Sequence, residues 1–110
     1  LLFLPNKLRA NNIYFDEGLK LFNSEKFEEA KFKFEQNIVF NPKSEMSYLY
    51  LSKIFKNLKN KNLQDKNLNT VILLNPKNEE AIYNLAKLKL ETSDYQKSKE
   101  LNDRLNNICD

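Results

Sequence analysis

The sequence predicts an all-α chain of about six antiparallel helices arranged as a repeat, and three observations carry that reading. Asn-Pro-Lys occurs twice, with Pro42 and Pro76 34 residues apart, and the aromatic residues Phe27 and Tyr95 stand at twice that interval. One Gly and three Pro in 110 residues leave too few turn formers for an all-β fold. Apolar residues recur at helical rather than alternating spacing. At this length the chain is one domain, and stacked repeats let each unit bury its apolar face on the next.

The first helix is expected from Asn6 or Lys7, after Pro5, to about Phe22. Its apolar residues form two stripes: Tyr14, Gly18, Leu21 and Phe15, Leu19, Phe22. Gly18 is the only glycine. A mid-helix Gly costs about 1 kcal/mol relative to Ala, a cost expected where the backbone of a partner helix comes close. After a turn over 23–26, the second helix runs from Phe27 to Phe40 with Ala30, Phe34 and Ile38 on one face, and Asn41-Pro42 ends it. Ser44 is a natural N-cap for a third helix ending near Asn57, with Tyr48, Leu51 and Phe55 inward. Leu58 to Asn62 reads as a turn, and a fourth helix with Leu63, Leu68, Val71, Ile72 and Leu74 stops at Asn75-Pro76. Asn78 caps a fifth helix that holds Ala81, Ile82, Leu85, Ala86 and Leu88. Ser93-Asp94 turns the chain into a sixth, whose thin stripe of Leu101, Leu105 and Ile108 suits a helix with one face in water.

The pattern resembles the tetratricopeptide repeat over residues 11 to 110, in units of about 11–44, 45–78 and 79–110, with residues 1–10 extending the first helix. Tyr14 stands where Trp is usual, and Gly18, Leu21, Phe27, Ala30, Phe34 and Pro42 occupy their expected places. The second unit keeps Tyr48, Leu51, Phe55, Leu68, Val71 and Pro76; the third keeps Ile82, Leu85, Ala86, Tyr95 and Leu105. Glu17, Lys61, Gln64 and Asn102 depart from the pattern, and Gln64, at a close-packing position, predicts a splayed or repacked middle pair. The resemblance implies a right-handed superhelix and a non-catalytic module that binds a peptide or helix of a partner in a concave groove, as scaffold, adaptor or chaperone.

Carried over position by position, the groove lining is Asn12, Phe15, Leu19, Phe22 and Asn23; Met46, Leu49, Lys53, Lys56 and Asn57; and Glu80, Tyr83, Lys87, Leu90 and Glu91. An apolar floor set with lysines implies a protein segment with apolar anchors and some acidic residues. The alternatives are that these residues are core, that the leading Leu1–Leu4 covers them, or that the chain self-associates through the same stripe. Tetratricopeptide domains that hold chaperone tails use Lys, Asn, Asn, Lys and Arg as a carboxylate clamp. Here those positions are Phe15, Leu19, Tyr50, Glu80 and Asn84, which argues against that subfamily.

The chemistry available is narrow. There is no His and a single Cys109, so no His-based acid–base pair, Cys–His nucleophile or zinc set can form, and no metal or other cofactor is expected. One Gly cannot build a phosphate loop. Glu28-Glu29 and Glu79-Glu80 are adjacent in sequence and read as first-turn acids rather than a catalytic pair. The chain is expected not to be an enzyme. Net charge is only +3, with Lys and Glu interspersed, which argues against nucleic-acid binding. No apolar run approaches the roughly 18 residues of a membrane span. Leu1-Leu2-Phe3-Leu4 fits either an arbitrary chain boundary or the stub of a signal or anchor. The compartment stays open, with the cytoplasm slightly ahead of export.

Overall fold

The computed structural model describes the backbone over residues 6–109 and side chains over 13–108. Six helices follow one another: α1 (Asn6–Asn23), α2 (Phe27–Phe40), α3 (Glu45–Asn57), α4 (Lys61–Leu74), α5 (Glu79–Glu91) and α6 (Tyr95–Cys109). Three-residue turns join α1 to α2, α3 to α4 and α5 to α6, so each pair is antiparallel. The pairs then stack in chain order, α2 on α3 and α4 on α5, into an elongated body of 52 × 29 × 19 Å.

The expected helices are all present. The fourth begins at Lys61, two residues ahead of its first apolar residue, because Asn60 serves as its cap: the Asn60 side chain accepts from the Leu63 amide at 3.1 Å. The two Asn-Pro-Lys linkers are built alike. Asn41 and Asn75 close α2 and α4, and the side chains of Ser44 and Asn78 cap α3 and α5 by accepting from the amides of Ser47 and Ala81.

The three turns inside the pairs share a feature with no glycine to announce it. Glu25, Lys59 and Ser93, each 34 residues from the next, have φ of 59°, 60° and 65°. In each case the following residue reaches back five positions: Lys26 N to Leu21 O, Asn60 N to Phe55 O and Asp94 N to Lys89 O, at 2.9, 2.9 and 2.7 Å. This is the Schellman closure, whose left-handed residue is usually Gly.

Two apolar clusters fill the interior. The first surrounds Ala30, Phe34, Leu51, Ile54 and Phe55; the second joins Leu49, Leu68, Val71 and Ile72 to Ala81, Ile82, Leu85, Ala86, Leu88 and Leu101. Tyr48 packs against both. Gly18 is explained by the first cluster, though not as the sequence suggests. What comes close is a side chain: a Cβ on Gly18 would lie 2.9 Å from Cζ of Phe34 and 3.0 Å from its Cε atoms. Phe34 is fully buried and stacks flat on Tyr50, with centroids 5.3 Å apart at 4°. The next small positions, Ser52 and Ala86, are each 2% exposed. Gln64 is accommodated inside its pair at 7% exposure.

Gly18→Ala forces the Phe34 ring to move, an overpacking cost of about 1–3 kcal/mol that outweighs the ~1 kcal/mol gained in helix propensity. Thermal melts are expected to show Gly18→Ala lowering the midpoint in the wild-type background and raising it when Phe34→Leu has removed the ring. Lys59→Gly is expected to relieve the left-handed strain and stabilise by about 0.5–1 kcal/mol, read as a higher urea midpoint with an unchanged m-value.

Candidate functional site: the face shared by α1, α3 and α5

Side chains rather than backbone tie α1, α3 and α5 into one surface. Tyr50 is its centre. Phe15 meets the Tyr50 ring edge-on at 6.3 Å, Phe22 does so at 5.1 Å, and Phe34 closes it from beneath. Lys53 lies over the same ring, its Nζ 5.1 Å from the centroid, and reaches across to Glu80 of α5 at 2.7 Å. Further along α5, Lys87 stands over Tyr83 at 5.3 Å.

The predicted lining divides into three groups. Met46, Tyr83 and Leu90 are 44%, 51% and 56% exposed, with Lys56 and Lys87 also in solvent. Phe15, Leu19 and Phe22 are half-buried against the first apolar cluster, so the floor they form is partly core. Leu49 is a correction. It is 2% exposed and belongs to the second cluster, not to a groove wall. Phe15, Leu49 and Tyr83 are the same position of successive repeats, but Leu49 lies between flanking pairs and packs with the residues of α4 and α5. The side chain of Asn12 and the Leu1–Leu4 segment lie outside the described residues.

Two hollows open on this face. One, of about 500 Å³, is lined by Phe22, Lys53, Lys56, Asn57, Lys59 and Asn84. Its lining holds three lysines and no carboxylate, and Lys56 and Lys59 make no ion pair among the described residues. The other, of about 400 Å³, lies where α1 passes the start of α3 and is lined by Phe15, Asp16, Asn37, Asn41, Ser44, Glu45 and Met46. Tyr50, Lys59 and Asn84 complete the face but are absent from the predicted lining. The signal for them was their spacing: Tyr50 and Asn84 are one period apart. Lys99, whose pKa is raised by its hydrogen bond to Asp103 and the charge of that carboxylate, is on exposed α6 and not on this face. Among the described residues no helix is long and apolar enough to cross a membrane, and no group of acids or thiols could hold a metal.

These features define a helical-repeat fold of the tetratricopeptide type, in which the first helices of successive pairs line the concave side. No protein-family model and no curated protein matches the sequence. Solved structures do. The second tetratricopeptide domain of Spaghetti (RPAP3), bound to the HSP90 peptide SRMEEVD, is similar with a TM-score of 0.83 at 16% identity, covering 94% of both chains. MamA is similar at 0.82 and 17% identity, over 89% of this chain and 57% of that one, so this chain spans little more than half of MamA. The Yersinia enterocolitica type III secretion translocator chaperone SycD is similar at 0.79 and 12%, over 89% and 73%. At these identities the likeness is one of fold, and the fold is the three-pair tetratricopeptide solenoid.

Because Leu49 is core, Leu49→Ala is expected to cost about 2–5 kcal/mol. Tyr83→Glu, at a half-exposed site, should stay within about 0.5 kcal/mol of wild type. Urea titrations of the two variants side by side make this comparison.

Proposed function

We propose that the chain is a non-catalytic docking module that holds a segment of a partner protein along the α1/α3/α5 face. Apolar side chains of the segment rest on Phe15, Tyr50 and Phe22, and its acidic residues enter the lysine hollow. The observation that carries this reading is the hollow itself, where Lys53, Lys56 and Lys59 converge beside Phe22 with no acid among the lining residues. Lys53 is already paired with Glu80, but Lys56 and Lys59 have no counter-charge among the described residues. Unneutralised ammonium groups favour an anionic ligand group, and an aromatic wall beside them supplies an apolar anchor. The structural relatives support the class of function, since the Spaghetti domains are held with an HSP90 peptide and SycD is a secretion chaperone. The mode of docking differs from a tail-carboxylate clamp. At the clamp positions Phe15 and Tyr50 are committed to ring packing, and Glu80 to its ion pair with Lys53.

A second reading, self-association through the same face, rests on the exposure of Tyr83 and Leu90. Light scattering separates the two: a monomer at high concentration removes the self-association reading, and a discrete dimer broken by Tyr83→Glu supports it.

The docking reading is tested by selecting a displayed library of random peptides on the purified chain. Sequences with apolar anchors and clustered Asp or Glu are expected to enrich. The Lys56→Glu/Lys59→Glu variant is expected to lose the acidic preference while keeping wild-type helicity. Enrichment without acids, or an acidic preference that survives the double charge reversal, overturns the assignment of the hollow.

A further inference from the structure

The second hollow has the opposite character from the first. Asp16 and Glu45 are its charged residues, and its lining contains no lysine or arginine. Asp16 is exposed and makes no ion pair among the described residues. Glu45 accepts from the side-chain amides of Asn75 and Asn78, which fix its carboxylate without neutralising it. A third group is more specific. Asn37 is 1% exposed and lines this hollow. Its Nδ2 donates to Ser47 Oγ at 2.6 Å and to Ser44 Oγ at 3.4 Å, which holds the amide in one orientation. Its Oδ1 is buried and has no hydrogen-bond partner. A buried carbonyl oxygen left without a donor is costly, on the order of 1–3 kcal/mol, and in a hollow whose charged lining residues are both acidic the donor that suits it best is cationic. Phe15 and Met46 supply apolar walls for the stem of such a side chain.

The two hollows lie on one continuous surface. Phe15 lines the acidic one, Phe22 lines the basic one, and both rings touch Tyr50 between them. Met46 at one end and Lys56 at the other are ten residues apart on α3, which is about 15 Å along a helix. We propose that the face is bipolar: the hollow of Asp16, Asn37 and Glu45 receives the ammonium or guanidinium group of a Lys or Arg in the same partner segment whose acidic residues occupy the lysine hollow. This rests on the docking reading above and adds the register of the ligand. The basic and acidic residues of the segment are separated by about 15 Å, which is roughly four or five residues of extended chain. A partner that is uniformly acidic satisfies only one end.

The same random-peptide library is selected in parallel on wild type, Asp16→Asn and Lys56→Glu/Lys59→Glu. On wild type, enriched peptides are expected to carry Lys or Arg about four or five residues from their acids. On Asp16→Asn the enrichment of Lys and Arg is expected to fall by about two- to fivefold, the scale of an exposed charge pair, with the acidic preference kept. On the lysine variant the basic preference is expected to persist and the acidic one to disappear. Acid-only enrichment on wild type, or a basic preference unchanged by Asp16→Asn, overturns the bipolar register and leaves the docking reading standing. No enrichment on wild type overturns both.

Discussion

The contact on which the architecture turns is the Phe34 ring seated against the bare backbone of Gly18. No side chain fits between them, so α1 and α2 approach as closely as an aromatic ring permits. That depth lets Phe34 present its other face to Tyr50 of the next pair. The consequences run outward without interruption. Tyr50, held flat from beneath, meets the rings of Phe15 and Phe22 at near-right angles and Lys53 over its face, and Lys53 ties α3 to Glu80 of α5. A packing constraint deep in the first pair thus sets the position of the aromatic floor two layers above it.

The three repeats solve the same problem with different side chains, and the differences place the face. Gly18, Ser52 and Ala86 are the small residues of the three pairs, but only Gly18 faces a phenyl ring of its own pair; the later pairs use Leu68 and Asn102 where the first uses Phe34. Ser98 compensates in the third pair by donating to Ala86 O at 2.9 Å, replacing bulk with a hydrogen bond across α5 and α6. Aromatic density accordingly falls from the first pair to the third. The continuous ring floor lies between α1 and α3, while on α5 the face is reduced to Tyr83 with Lys87 above it.

Much of this was legible in the sequence because the period is written in residues with strong local meaning. Pro42, Pro76, Ser44 and Asn78 mark helix ends by backbone and capping chemistry that needs no tertiary contact. The left-handed turns were not legible. Glu25, Lys59 and Ser93 carry no sign of φ > 0, and only the geometry of helix closure imposes it. Leu49 was misplaced for a related reason. Its stripe on α3 is indistinguishable by periodicity from those of Phe15 and Tyr83, but periodicity reports direction around a helix and not what stands opposite. For Leu49 that is the second apolar cluster. Lys53 and Lys56 stand in the predicted lining and Lys59 does not, because the convergence of the three with Phe22 and Asn84 depends on how α1, α3 and α5 lie together.

The separation of charge on this face has an origin in helix stability itself. Each helix favours acids in its first turn and bases in its last, where they oppose the macrodipole. Glu45 begins α3 and Lys56 ends it; Glu79 and Glu80 begin α5 and Lys89 ends it; Lys20 lies in the last turn of α1. In an isolated helix these charges disperse around the surface. Here the antiparallel pairing makes α1, α3 and α5 run parallel to one another, so the acidic starts of α3 and α5 share one edge and the basic last turns of all three share the other, while α1 has no acid in its first turn. A net charge of only +3 conceals this. The sum over the chain is close to balance, while the distribution along α3 is not. On α3 the rule that stabilises the helix by itself sets Glu45 and Lys56 at opposite ends of the face, whereas Lys89 of α5 is neutralised by Asp65 of α4.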